Sequence, residues 1–348
     1  MEQTRRVWVG NVPVGGGAPV SIQSMTNTDT RDAAATSAQI LALEHAGCEI
    51  VRASVYDMDC ARAIREVKRN IHIPLVADIH FDHRLAIAAA ENGADKLRIN
   101  PGNIGGQQKV AELTACAKHL GIPIRIGVNA GSLERDLLER YGGPSPVAMA
   151  ESALRHIAML EQEGFYDIVV SLKASNVPDT VAACREIGRR CVYPQHIGIT
   201  EAGMGEFAIV KSAVGLGSLL LEGIGDTMRV SLTGDPVQEV HAARSILRAA
   251  GFRREGIEII SCPTCGRCGV DLASIVQTLH ERLKLEGCLK IAVMGCAVNG
   301  PGEAREADIG IAFGPGNGVL FKKGEKIASG TVQDMLDLLV REAESMLA

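Results

Sequence analysis

The segments Leu75-Val-Ala-Asp-Ile-His80, Lys96-Leu-Arg-Ile-Asn100 and Ile124-Arg-Ile-Gly-Val-Asn129 decide the fold. Each is a short apolar run whose polar residues stand two or four positions apart. A period of two puts such residues on one face of an extended strand. Stretches with helical spacing separate the runs, Arg84–Asn92 among them. Strand and helix in regular alternation point to a parallel sheet with crossover helices.

The same unit repeats outward in both directions. Strands are expected at Val20–Met25, Glu49–Ser54, Leu75–Ile79, Lys96–Asn100, Ile124–Asn129, Ile168–Ala174, His196–Thr200 and Met228–Leu232. Helices are expected at Ala34–His45, Arg84–Asn92, Val147–Glu163 and Val237–Ala250, several followed by a Gly of the kind that caps a helix C-terminus. Eight such units match a (β/α)8 TIM-type barrel, and a doubly wound open sheet, which shares the alternation, is the alternative. Beyond Gly251 the alternation stops. A strand (Glu258–Ser261), a cysteine cluster, a helix (Leu272–Leu285), a strand (Lys290–Met294), hairpin strands reaching Ile327 and a helix (Val332–Leu347) follow. We therefore expect two domains in the 348 residues, a barrel over 1–250 and a smaller α+β domain over 251–348.

Hydrophobic residues make up 46% of the chain and charged residues 22%, a globular composition. No run approaches the ~18 apolar residues of a membrane span. Met1–Gly10 has arginines but no apolar signal core, so a cytoplasmic location is expected. Ten cysteines stay reduced there, which argues against a disulfide framework and leaves some for metal. The formal charge of −5 and the 3% aromatic content disfavour nucleic acid and anionic membranes as partners.

Polar pairs recur at the C-terminal strand ends: Arg52/Ser54, Asp78/His80, Arg98/Asn100, Arg125/Asn129, Lys173/Ser175 and Arg229/Ser231, with Glu201 after the seventh strand. That end carries the active site in such barrels. A single strand-end arginine more often pairs with a neighbouring carboxylate. Five cations in register instead repel one another unless an anion joins them. Arginine forks match phosphate oxygens, and Asn129, Ser175 and Ser231 would add neutral hydrogen bonds, so a diphosphate is expected. Asp78 and His80 share one face and are candidates for acid–base work.

In Ser-Cys-Pro-Thr-Cys-Gly-Arg-Cys-Gly, Cys262, Cys265 and Cys268 stand at C-x2-C-x2-C spacing, and Cys296 follows in Met-Gly-Cys-Ala-Val-Asn-Gly-Pro-Gly-Glu. Such turns let thiolates converge on one metal centre. Spacing alone nominates Cys268 as a ligand and leaves structural zinc and an iron–sulfur cluster both open; the barrel tips the choice toward the cluster. Cys48, Cys60, Cys116, Cys184, Cys191 and Cys288 read as core or surface thiols.

The chain resembles one family nearly end to end, the 4-hydroxy-3-methylbut-2-enyl diphosphate synthases of the non-mevalonate isoprenoid pathway. The segments that carry the resemblance are Val-Ser-Ile-Gln-Ser-Met-Thr-Asn-Thr, Ala-Asp-Ile-His-Phe, Leu-Arg-Ile-Asn-Pro-Gly-Asn, Arg-Ile-Gly-Val-Asn-Ala-Gly-Ser-Leu, Gly-Ile-Thr-Glu-Ala-Gly, Cys-Pro-Thr-Cys and Gly-Cys-Ala-Val-Asn-Gly-Pro-Gly-Glu. The resemblance implies a [4Fe–4S] cluster held by Cys262, Cys265, Cys296 and Glu303, which leaves Cys268 out. It implies 2-C-methyl-D-erythritol 2,4-cyclodiphosphate as substrate, with its diphosphate in the cationic mouth and two electrons from flavodoxin or ferredoxin, flavodoxin being favoured. Glu201, Asp78 and His80 are then the candidates for the proton that releases water. It implies, too, a homodimer in which the cluster domain of one subunit caps the barrel of the other. The competing expectations are an aldolase or isomerase of a phosphorylated substrate with a zinc tail, and an electron carrier that turns over no diphosphate.

Overall fold

The computed structural model describes residues 3–174, 176–283, 287–296, 298, 300–314 and 316–347. Ser175 and the end of the expected helix at Leu285 lie outside the described residues.

A hairpin of β1 (Val7–Val9) and β2 (Val12–Val14) opens the chain. Eight strands follow: β3 (Ser21–Met25), β4 (Ile50–Ser54), β5 (Leu75–Asp78), β6 (Lys96–Ile99), β7 (Ile124–Asn129), β8 (Ile168–Lys173), β9 (His196–Gly198) and β10 (Thr227–Arg229). From β3 to β8 they pair in chain order, all parallel, and β10 pairs with both β9 and β3. A parallel bridge between Val170 and Gln195 joins β8 to the segment entering β9, so the sheet returns on itself. The barrel is thus the fold, and the doubly wound alternative falls.

The last two strands are shorter than the sequence reading expects, ending at Gly198 and Arg229 rather than Thr200 and Leu232. At the first, the chain bends into the left-handed region at Glu201 (φ 53°). At the second, the Leu232 amide donates to the Glu239 carboxylate at 3.0 Å instead of to a neighbouring strand.

The two faces of each strand have different fates. Outward side chains such as Ile22, Val51, Leu97, Ile126, Val170 and Met228 are buried in one core with Ile40, Ile64 and Leu113 of the surrounding helices. Inward, Gln23, Arg52, Asp78, Lys96, Arg98, Arg125, Ser171, His196 and Thr227 are buried too. Barrel interiors are ordinarily filled by Val, Ile and Leu. Here an apolar layer forms only at the N-terminal end, where Ile50 and Val76 meet Val9 and Val14 of the opening hairpin.

Residues 253–348 form a second compact unit. Its sheet runs β11 (Gly256–Ser261), β12 (Cys288–Met294), β13 (Ile309–Phe313), β14 (Asn317–Lys322) and β15 (Glu325–Thr331), the first three parallel and the rest antiparallel. Helices Leu272–Arg282 and Val332–Leu347 cover one face over Ile291, Val293, Ile309 and Ile311. The short helix Gly300–Glu306 covers the other over Ala292, Met294 and Ala312. That contact depends on Gly310, where a Cβ would meet the Ala304 carbonyl oxygen at 2.4 Å. No described helix is long and apolar enough to cross a membrane.

Candidate active site

A cavity of about 270 Å³ opens among Met25, Arg52, Asp78, His80, Arg98, Arg125, Gly127, Asn129, Ser171, Lys173, Thr200, Arg229 and Ser231, at the C-terminal ends of the barrel strands. Asp78 is its hub. Arg98 Nη1 donates to Asp78 Oδ1 at 3.0 Å, and Arg52 Nε lies 3.5 Å from Oδ2. Arg98 Nη1 also donates to His80 Nε2 at 3.2 Å. A guanidinium has no acceptor, so this contact makes Nε2 the accepting nitrogen and leaves the imidazole proton on Nδ1. Arg229 pairs with Glu239, the Nη2–Oε1 distance being 3.2 Å, and Glu239 also accepts from Ser24 Oγ at 3.1 Å. The sulfur of Met25 accepts from Arg52 Nη2 at 2.8 Å and from Nε at 3.1 Å.

Two strand glycines make room for the cations. A Cβ at Gly127 would stand 2.6 Å from Arg98 Nε, and one at Gly198 would stand 2.9 Å from Lys173 Nζ. A side chain at either position would push a charged head out of the mouth.

The charges do not balance. Among the lining residues and their partners, Arg52, Arg98, Arg125, Lys173 and Arg229 face only the carboxylates of Asp78 and Glu239. Arg125 is 1% exposed, and its Nε and Nη1 have no hydrogen-bond partner. Burial, then Arg52 and Arg98, press Arg125 well below its ordinary range. A guanidinium keeps its proton in proteins, so the result is stored repulsion rather than a neutral side chain. Burial pushes Arg52 down to about 10 even beside Asp78, and burial with the same arginines presses Lys173 down. Such a mouth fits a multiply charged, phosphate-like anion.

Of the expected residues, Asn100 does not line the cavity. Its side chain accepts from the Gly102 amide at 3.2 Å and caps the short helix Pro101–Ile104. Glu201 is exposed at the rim beside Thr200, and its positive φ is the kind of backbone strain that collects at functional sites. Met25, Gly127, Ser171 and Thr200 escaped the sequence reading, although Ser171 and Met25 extend the same period of two. A larger cavity of about 570 Å³ lies at the N-terminal end of the barrel beside Val20, Gln195 and Asp226. Its arginines are already paired, Arg190 with Glu151 at 3.1 Å and Arg189 with Glu186 at 3.6 Å.

In the second unit, Cys262 follows β11 and Cys296 follows β12, its parallel neighbour. The Gly295 amide donates to Cys262 Sγ at 3.3 Å. Cys265 is exposed, Glu303 stands in the first turn of helix Gly300–Glu306, and no disulfide engages any of the ten cysteines. Thiols after two adjacent strands, with one carboxylate on a nearby helix in the chain, fit an iron–sulfur cluster in their chemistry. Among the described residues, no three of these side chains are drawn into a metal-holding group. The Cys268 thiol donates to the Val270 carbonyl at 3.2 Å and packs against Gly295, where a Cβ would stand 2.3 Å from its sulfur.

Fold and mouth together define a (β/α)8 protein shaped for a multiply charged anion, followed by a unit with thiols at its strand ends. Residues 4–244 match the family model described as the GcpE TIM-barrel domain, and residues 258–345 match the GcpE protein C-terminal domain. The chain belongs to the GcpE family. It is 57% identical over 347 residues to the Geobacter sulfurreducens protein named 4-hydroxy-3-methylbut-2-en-1-yl diphosphate synthase (flavodoxin), covering 99% of this chain and 98% of that one. It is 54% identical over 345 residues to the protein of that name from Caldanaerobacter subterraneus subsp. tengcongensis, covering 99% and 97%. Among solved structures, an HPPK-DHPS from Plasmodium falciparum superposes with a TM-score of 0.51 at 10% identity, over 71% of this chain and 49% of that one. That likeness shows the barrel fold alone.

Burial opposes ionisation of Asp78, but Arg52, then Arg98 and Arg125, hold its carboxyl at about 2. A carboxylate whose native value lies below its unfolded value stabilises the fold above the unfolded value, and that stability is lost as pH falls toward the native one. Asp78→Asn is therefore expected to destabilise the barrel by about 2–3 kcal/mol at neutral pH, the linkage value for a carboxyl moved from about 4 to about 2. The gap to the wild type should close between roughly pH 4 and pH 2. Urea unfolding at a series of pH values measures it, and a gap that does not change with pH contradicts the assignment.

Proposed function

We propose that this protein catalyses the reductive ring opening and dehydroxylation of 2-C-methyl-D-erythritol 2,4-cyclodiphosphate to 4-hydroxy-3-methylbut-2-enyl diphosphate. A flavodoxin supplies the two electrons. The observation that carries the reading is Arg125, fully buried in a cationic mouth with two donors unused. A diphosphate entering that mouth satisfies those donors and cancels the repulsion.

From substrate dianion to product trianion, the reaction consumes two electrons and one proton and releases water. Ring opening leaves negative charge on the departing phosphate, which Arg98, Arg125 and Lys173 stabilise from fixed positions. Asp78 does not supply the proton, because its carboxyl is held at about 2. His80 Nε2 is engaged by Arg98. Glu201, exposed at the rim next to the cavity residue Thr200, is the group that delivers the proton with which water departs in this reading.

Cys262, Cys265, Cys296 and Glu303 would hold a [4Fe–4S] cluster, which supplies one-electron transfer to the substrate when bound. Glu303 rather than Cys268 is the fourth ligand in this reading. A carboxylate is the harder and more exchangeable donor. The protein works in the cytoplasm, where its thiols stay reduced.

Two measurements on anaerobically purified protein test this. Arg125→Ala is expected to weaken substrate binding by roughly 10- to 100-fold, the scale of a charge-assisted contact, with an unchanged visible spectrum; unaltered kinetics would remove the phosphate assignment. Cys268→Ser should retain iron, sulfide and most activity, while Glu303→Ala should lose turnover. A Cys268→Ser protein that loses iron and activity together returns the ligand role to Cys268.

The reading includes a homodimer in which the cluster unit of one subunit serves the barrel of the other. An apolar stripe on helix Gly205–Leu221 supports self-association: Phe207, Val210, Val214 and Leu221 are 76%, 49%, 55% and 73% exposed. Mixing inactive Lys173→Ala and Cys296→Ala proteins should restore partial activity, because each mixed dimer keeps one intact barrel facing one intact cluster. No recovery despite demonstrated subunit exchange would assign both parts of the site to one chain.

A further inference from the structure

Beneath the mouth the barrel holds a second layer of polar side chains that the reaction does not touch. Lys96 lies two positions behind Arg98 on β6, Gln23 behind Met25 on β3, His196 behind Gly198 on β9 and Thr227 behind Arg229 on β10. A two-residue step keeps each on the inward face, roughly 6.6 Å deeper. All four are buried.

Lys96 is the anomaly in this layer. It is 0% exposed, and its Nζ has one partner, Gln23 Oε1 at 3.5 Å. The charges acting on it are those of Arg125 and Arg52, both cations, and no carboxylate pairs with it among the described residues. Around it, Gln23 Nε2, Thr227 Oγ1 and both ring nitrogens of His196 have no hydrogen-bond partner. His196 is pressed toward its neutral form by burial, then by Arg125, Lys173 and Lys96.

Burial among cations disfavours the charged form of this lysine. Burial, then Arg125 and Arg52, press its ammonium well below the ordinary value. Lys173 is pressed the same way, but it borders the open cavity, where water solvates an ammonium. Lys96 has no such water-facing surface. A diphosphate dianion in the mouth offsets most of the unbalanced positive charge above this layer. An ammonium at Lys96 then has the anion above it and Gln23 Oε1 as an acceptor at 3.5 Å.

We propose that Lys96 is a positioning residue that takes a proton from solvent when the diphosphate enters the mouth, placing beneath the ligand a charge that the empty barrel does not tolerate. This rests on the diphosphate reading above.

The test is calorimetric titration of 2-C-methyl-D-erythritol 2,4-cyclodiphosphate into the oxidised holoenzyme without reductant, so that binding occurs without turnover. Repeating it at about pH 8 in buffers of different ionisation enthalpy counts the protons taken up. Each phosphorus of this ligand carries one strongly acidic oxygen, so the ligand itself takes up none near neutrality. The wild type is expected to bind about one proton, whereas Lys96→Met binds none and loses roughly tenfold in affinity with its visible spectrum intact. His196→Gln should keep the uptake. If Lys96→Met does not fold, Lys96→Gln, which can still hydrogen-bond Gln23, carries the same comparison. Binding without proton uptake in the wild type, or uptake that survives in the Lys96 variant, overturns the proposal alone. The absence of any binding heat overturns both it and the diphosphate reading.

Discussion

Repulsion among cations inside the barrel is the constraint on which the rest of this structure depends. Parallel strands in register bring Arg52, Arg98 and Arg125 side by side, and Asp78 alone separates the first two. Isolated buried charges are among the costliest features a fold can carry. The barrel tolerates them because its outward strand faces are almost entirely apolar and packed against the helices. Stability comes from the outer layer and chemistry from the inner one. Each strand supplies both through its alternation.

Several local features serve the same end. Glycines at 127 and 198 remove the side chains that would displace Arg98 and Lys173. The sulfur of Met25, a weak acceptor without charge, occupies donors of Arg52 without cancelling any of the positive potential. Glu239, reaching in from helix Pro236–Ala249, fixes Arg229 and the Leu232 amide together, so the last strand ends where its arginine is needed. The left-handed turn at Glu201 keeps a carboxylate at the rim rather than inside, where it would neutralise the site. In the second unit, the parallel pairing of β11 with β12 sets Cys262 and Cys296 at neighbouring strand ends.

Much of this was legible in the sequence because strand periodicity is local. The runs around Asp78, Arg98 and Arg125 announced both the strands and the face on which their charges lie. What depends on distant partners was not legible. Asn100 has the same spacing from Arg98 as Asp78 has from His80, yet the proline after it starts a helix, and Asn100 serves as the cap. Glu239 sits in a helix that reads as ordinary amphipathic sequence, and only tertiary structure brings it to Arg229 and Ser24. The depth of Lys96 and His196 could not be read either, since a period of two gives the face and not the layer. Spacing likewise nominated Cys268, and spacing alone does not choose between that thiol and Glu303.

On this reading the mouth is strained until a diphosphate fills it. The most direct measurement is the thermal unfolding midpoint of the holoenzyme with 2-C-methyl-D-erythritol 2,4-cyclodiphosphate, compared with sodium chloride at matched ionic strength. A ligand that binds only the native state at 100 times its dissociation constant stabilises it by about 2.7 kcal/mol. In a protein of this size that corresponds to a rise of roughly 2–4 °C. The account predicts that rise for the diphosphate and little or none for chloride. Equal shifts with the two, or no shift with the diphosphate, would contradict it.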